Sequence, residues 1–133
     1  MASVNPKIKN RFVVSHAADS AFTRHDFRPH LQMRDLGVRA ATDGAVNIYV
    51  TRVTESYNKD HEPGMHYHLP DFQYFYVLKG WQKMYFEGHG EMVMKVGSGW
   101  LQERELKHVV LDHSADFEIL VINMPASFET VQL

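Results

Sequence analysis

The chain has 133 residues, 44% hydrophobic and 23% charged, which is the size and make-up of one globular domain and excludes a disordered chain. Fourteen Lys and Arg against sixteen Asp and Glu leave a net charge of −2, too balanced for a dedicated nucleic-acid binder. With no cysteine, disulfides, thiolate metal sites, iron–sulfur clusters and thiol nucleophiles are ruled out.

At the start, Lys7, Lys9 and Arg11 interrupt the sequence with no apolar stretch behind them, so no signal peptide is expected. No apolar run approaches the ~20 residues of a membrane span. The cytoplasm is the default location, with no membrane partner. Residues 1–20 are the weakest for structure, and a mobile start is expected. Residues 1–45 carry seven basic and four acidic residues, and 46–133 carry seven basic and twelve acidic. That asymmetry suggests a basic arm, residues 1–44, packing on or extending an acidic body, residues 45–133. Within the arm, Leu31–Leu36 reads as a short helical turn, between Pro29 and Gly37.

After the turn dipeptide Asp43-Gly44 the pattern becomes that of strands. Residues 45–54 are rich in β-branched side chains, with Val46, Ile48 and Val50 alternating against Asn47, Tyr49 and Thr51. A loop is expected over 55–63. Strands then follow at 73–78, 81–86 and 91–96, around Trp100, and at 107–111 and 117–123, with glycine turns between several of them. The runs 74–78 and 117–122 are too apolar for a water-facing side and are expected to be buried on both faces. Little helix and this rhythm predict an all-β sandwich, small barrel or jelly roll.

Nine histidines stand out, six of them between His61 and His113. In a strand, residues i and i+2 point the same way, so His66 and His68 project together, close enough to share one metal ion. Gln73 opens an otherwise apolar strand, where a buried amide must find partners. It reads as a core glutamine bonded to backbone, as a ligand through its carbonyl oxygen, or as a hydrogen-bond donor to whatever the metal binds. His108 sits just before Val109-Val110-Leu111 in the same kind of setting. His61, His89 and His113 fall in expected loops or beside Asp112 and read as surface histidines.

The spacing His66-x-His68-x4-Gln73-x6-Gly80 resembles the first motif of the cupins, with glutamine where that family has glutamate. Gly97-x10-His108 is similar to the second motif, and sixteen residues separate Gly80 from Gly97, as in small single-domain cupins. The resemblance covers roughly residues 45–125. It departs at Asp60, Glu103, Glu105 and Asp112, where the family has glycine, proline, glycine and asparagine. The Glu103–Glu105 loop is expected to be solvated, with contact to a substrate or proton transfer as the alternative.

The resemblance implies a single cupin-type double-stranded β-helix, a jelly-roll barrel, holding one divalent metal ion per chain. Its ligands would be His66, His68 and His108, with Gln73 as a fourth ligand or one step behind. Iron is the first choice of metal, with zinc, nickel, manganese or copper as alternatives. A neutral ligand set leaves the full +2 charge on the metal and favours an anionic small molecule. Tyr67, Phe75, Val77, Tyr85, Trp100 and Val110 are the expected pocket lining. The activity implied first is a metal-dependent oxygenase, of the dioxygenase kind, acting on a small anionic or aromatic substrate. The alternatives are a metal-dependent isomerase or lyase of the sugar or keto-acid type, or a non-catalytic ligand-binding cupin. The family's edge-strand pairing also implies a homodimer.

Overall fold

The computed structural model describes residues 7–25 and 28–133. Of the start expected to be mobile, residues 1–6 lie outside the described residues, and residues 7–20 form no helix or strand. Among the described residues no helix is long and apolar enough to cross a membrane.

Eleven strands form two antiparallel sheets facing each other. In chain order they are β1 (Thr23–Arg24), β2 (Leu31–Asp35), β3 (Asn47–Val53), β4 (His66–His68), β5 (Phe72–Lys79), β6 (Trp81–Phe86), β7 (Gly90–Lys95), β8 (Gly99–Leu101), β9 (His108–His113), β10 (Glu118–Met124) and β11 (Thr130–Gln132). The first sheet runs β1-β2-β3-β10-β5-β8, and the second runs β11-β4-β9-β6-β7. Neither sheet closes on itself, so the architecture is a jelly roll of two open layers. Among the described residues, a four-residue helix, α1 (Val38–Ala41), and a 3-10 turn at Lys59–His61 are the helical elements.

The expected strands from 45 onward all form, within two or three residues at their ends. The segment Leu31–Leu36 departs from expectation: it is strand β2, not a helical turn. Its register against β3 (Leu31↔Val53, Met33↔Thr51) puts Leu31 and Met33 on the inner face. Alternation of two apolar side chains over a paired edge outweighs the local helical spacing. Through β1 and β2 the arm therefore lengthens the first sheet.

The core lies between the layers and centres on Val77, Met84, Phe86, Phe117, Ile119 and Val121. Burying a side chain such as Val77, which is fully enclosed, contributes about 1.5–3 kcal/mol. β3 turns Tyr49, Thr51 and Val53 inward. Its opposite face is covered as well, with Val50 only 2% exposed. On that outer side the Phe22 ring of the arm stacks under the Arg52 guanidinium, 3.8 Å from carbon to ring centre.

Burial on both faces does not hold for 74–78. On β5, Gln73 and Val77 are buried, whereas Phe72, Tyr76 and Leu78 stand about two-fifths exposed on the outer face. β10 has the same one-sided pattern in weaker form, with Ile119, Val121 and Asn123 buried and Leu120 and Ile122 half-buried. Each strand belongs to an outer layer with a single neighbour layer, so only one side of the pleat can meet the core.

Candidate metal centre

Strand β4 is three residues long and is held from both sides, by β11 and β9. Alternation sends His66 and His68 inward together, and the pairing His66↔His108 places the third imidazole directly opposite. Ring centres are 4.3, 4.9 and 5.0 Å apart. One nitrogen from each ring lies within 4.8 Å of the others, so the group could hold a metal ion.

The outer nitrogens are anchored. His66 Nδ1 and His108 Nδ1 each donate to a backbone carbonyl, of Gly64 and Leu106, both at 2.8 Å. His68 Nδ1 lies 2.7 Å from the Thr130 hydroxyl on β11. The two carbonyls fix the proton of His66 and His108 on Nδ1 and leave their Nε2 lone pairs free, as a ligating imidazole requires. Burial lowers the pKa of all three. For His68, burial, then His108, His66 and Arg28, bring it to about 3. For His108, burial with His66 and Arg28 brings it to about 4, despite the bond to Leu106. The three rings are thus neutral at pH 7 and ready to accept a cation.

Gln73 is buried one step from the imidazoles. Its carbonyl oxygen accepts from Gln102 Nε2 at 3.0 Å, and its own amide donates to Asn123 Oδ1 at 3.0 Å. Asn123 in turn donates to the Tyr49 hydroxyl at 3.2 Å. Gln102 Nε2 also faces His108 Nε2 at 3.5 Å, so the amide that meets a histidine is that of Gln102. Gln102 falls inside the second motif, between Gly97 and His108, at a position the spacing leaves unspecified, so the argument from Gln73 could not reach it.

The three imidazoles open into a cavity of about 390 Å³ between the sheets. Phe75 and Trp100 line it as a stacked pair, 4.9 Å between ring centres, and Val110 lines it too. Tyr67, Val77 and Tyr85 do not line it. Tyr67 sits between two inward histidines and therefore points the other way. Tyr85 has the same parity between Met84 and Phe86, while Val77 lies deeper, inside the packed core. Glu103 and Glu105 are exposed, and Glu105 adopts φ of 68°, the left-handed conformation that suits glycine.

Sequence reasoning missed a second polar cluster. His113, read as a surface histidine, is buried at 4% exposure, as is His30 on the arm. Both close on one oxygen of Glu62, His30 Nε2 at 3.3 Å and His113 Nε2 at 3.5 Å, and the Glu62 side chain is 8% exposed. The reason lies in the β6–β9 register. Met84 pairs with Val110 but Lys83 pairs with Asp112, leaving Leu111 as an extra residue. Strict alternation from His108 would put residue 113 outside; this one-residue bulge turns it inward. Glu62 and His113 line the same cavity as the three imidazoles, as does Arg28. His61 and His89 are exposed, His61 bonding to Glu55.

No protein-family model matches the sequence, and no curated protein matches it. Among solved structures, the chain is similar to the polyketide cyclase RemF from Streptomyces resistomycificus. The TM-score is 0.69 at 15% identity, covering 92% of this chain and 86% of that one. It is similar also to KdgF from Halomonas sp., with TM-score 0.64 at 15% identity over 86% and 94% of the two chains. A third likeness is to Fe(II) HppE, with TM-score 0.61 at 12% identity; it covers 85% of this chain but spans only 60% of that one. These neighbours are cupin-fold proteins, and the cupin fold is the architecture described above.

Proposed function

We propose that the protein is a mononuclear metal enzyme, first of all an oxygenase acting on a small anionic or aromatic molecule held in the cavity. The observation that carries this reading is the set of three converging imidazoles, neutral, anchored at Nδ1, and lacking any carboxylate among them. When bound, a divalent metal would supply Lewis acidity and, if it is iron, a place for dioxygen to react. The chain's own residues would do the rest. His66, His68 and His108 hold the ion and leave positions open. Phe75 and Trp100 present flat apolar walls to a substrate, and the surrounding core excludes water.

A second reading, a metal-dependent isomerase or lyase, is favoured by Glu62 and His113, which offer a carboxylate and an imidazole for proton transfer in the same cavity. Elemental analysis of untagged protein purified with and without air, followed by oxygen-electrode assays against catechols, enols and keto acids, separates the two. About one iron per chain with oxygen uptake supports the oxygenase. Turnover of a keto acid or sugar with no oxygen uptake supports the isomerase or lyase. Ligand binding without turnover of any kind would make it a binding protein.

We propose further that the protein acts as a homodimer. The outward apolar side chains Phe72, Tyr76 and Leu78, next to Leu101 on the edge strand β8, support this reading. A light-scattering mass near the 15.4 kDa of one chain would overturn it.

A further inference from the structure

The cavity has a second pole that the metal reading leaves unused. Arg28, in the turn between β1 and β2, lines the cavity together with the three imidazoles. That turn is held by one side-chain and one backbone hydrogen bond. Arg28 N–H donates to His25 Nδ1 at 3.1 Å, and Leu31 N–H donates to the Arg28 carbonyl at 2.9 Å. Arg28 is half-buried, and no described carboxylate comes within ion-pair distance of it. Glu62, whose charge acts on it, is already engaged by His30 and His113. Burial pushes the Arg28 pKa down, against the pull of Glu62, but an arginine stays protonated across the physiological range. Its positive charge is felt by all three candidate ligands, each of which it makes harder to protonate.

A cation placed half out of water, with no carboxylate partner among the described residues, costs free energy unless an anion meets it there. The residues around it select which anion. One guanidinium offers two parallel N–H groups, the match for a planar carboxylate. A phosphate or phosphonate carries further negative charge, which would stand in the same cavity as the Glu62 carboxylate. Leu31, Met33, Phe75 and Trp100 give the cavity an apolar wall.

We propose that Arg28 is the anion subsite of this cavity and that the ligand is a small monocarboxylic acid. Its carboxylate pairs with the Arg28 guanidinium while its apolar body lies in the space leading to His66, His68 and His108. The assignment rests on the proposed metal enzyme only for the ligand's other end; the carboxylate pairing itself needs no metal. It also gives the N-terminal arm a role, since the arm supplies the group that selects the ligand.

The test titrates the zinc-loaded protein with acetate, benzoate, neutral benzamide and phenylphosphonate. Binding is followed by calorimetry and by the NMR signal of the Arg28 Nε–H. At least one carboxylate is expected to bind and to shift that signal. Arg28→Gln should weaken it about tenfold or more, the loss of a charge-assisted bidentate pair. Arg28→Lys, which keeps the charge and loses the fork, should fall between. Zinc content should stay equal in all three proteins. Equal carboxylate affinity in Arg28→Gln, no carboxylate binding at all, or benzamide or phenylphosphonate binding better than benzoate would each overturn the proposal. If the wild-type protein takes up no zinc, the metal reading fails by itself. The same titration on the metal-free protein then still decides the role of Arg28.

Discussion

His66, His68 and His108 gather in the cavity with no carboxylate among them, whereas His30 and His113 close on Glu62. The first group is held by neutral partners, two backbone carbonyls and a hydroxyl, so burial dominates and its pKa values fall. In the second, burial also works against charge, but Glu62 outweighs it, and the His113 pKa rises. Burial by itself would raise Glu62; His113, His30 and Arg28 more than offset that and hold its carboxyl below the ordinary range. The same side chain, at similar depth in one cavity, is thus prepared for a cation in one place, while at His113 its own charged form is favoured. What decides is the presence of one carboxylate.

The sharpest way to break this contrast is to remove a member of the neutral group. His66→Ala and His108→Ala are each expected to abolish stoichiometric zinc or iron uptake while far-UV circular dichroism stays that of a β protein. The rings face the cavity and are not part of the apolar core. Full metal content in either purified variant would refute the ligand assignment. The counterpart in the charged group is Glu62→Ala, which strands two buried imidazoles without their anion. Breaking a buried pair from one side costs about 3 kcal/mol, to be read as a lower urea midpoint, with metal uptake retained. An unchanged midpoint would show that the cluster does not carry charge.

The two groups also pull the pH dependence of the metal-free protein in opposite directions. His68 and His108 have folded pKa values of about 3 and about 4, below the ordinary 6.5. Between those values and 6.5 the unfolded chain binds more protons, so stability falls as pH falls. His113 has a raised folded pKa, so its contribution is complete below 6.5 and fades as pH rises through the folded value. Urea midpoints at pH 5 should therefore lie below those at pH 7, and His68→Ala should flatten that slope. On going from pH 8 to pH 6.5, His113→Asn should lose a gain in stability that the wild type shows. A His113→Asn profile parallel to the wild type in that window would place His113 outside the charged pair.

How far the sequence reaches follows the same line. The His66/His68 pairing rests on a period of two within one short strand, and such a period needs no knowledge of the partner strand. His108 came from motif spacing, and the register His66↔His108 brings it there. The second cluster was invisible because each member depends on something non-local. His113 needs the extra residue Leu111 in the β6–β9 ladder, Glu62 needs the turn after Lys59–His61, and His30 needs β2 to pair with β3. β2 was misread because its apolar spacing over six residues fits a helical turn as well as a strand, and only the edge it joins resolves the choice. The outer face of β5 was misread for a related reason: apolar residues on both parities do not say how many layers will cover them.

The smallest expected effect concerns the loop that positions His108. Leu106 supplies the carbonyl that anchors its Nδ1, and the loop before it turns through Glu105 in the left-handed conformation, φ of 68°. The Glu105 N–H donates to the His68 carbonyl at 3.0 Å and the Leu106 N–H to the Glu103 carbonyl at 3.1 Å. The turn that a glycine would favour is therefore kept, with a glutamate carrying the strain of a Cβ in that conformation. Glu105→Gly removes that strain but frees the unfolded chain, so the net gain should be about 1 kcal/mol or less. Because the side chain is exposed and touches neither cluster, zinc affinity should stay unchanged while the urea midpoint rises. A drop in zinc affinity would mean that Glu105 does more than close the turn, and that the neutral cluster is not as free of carboxylate influence as the contrast requires.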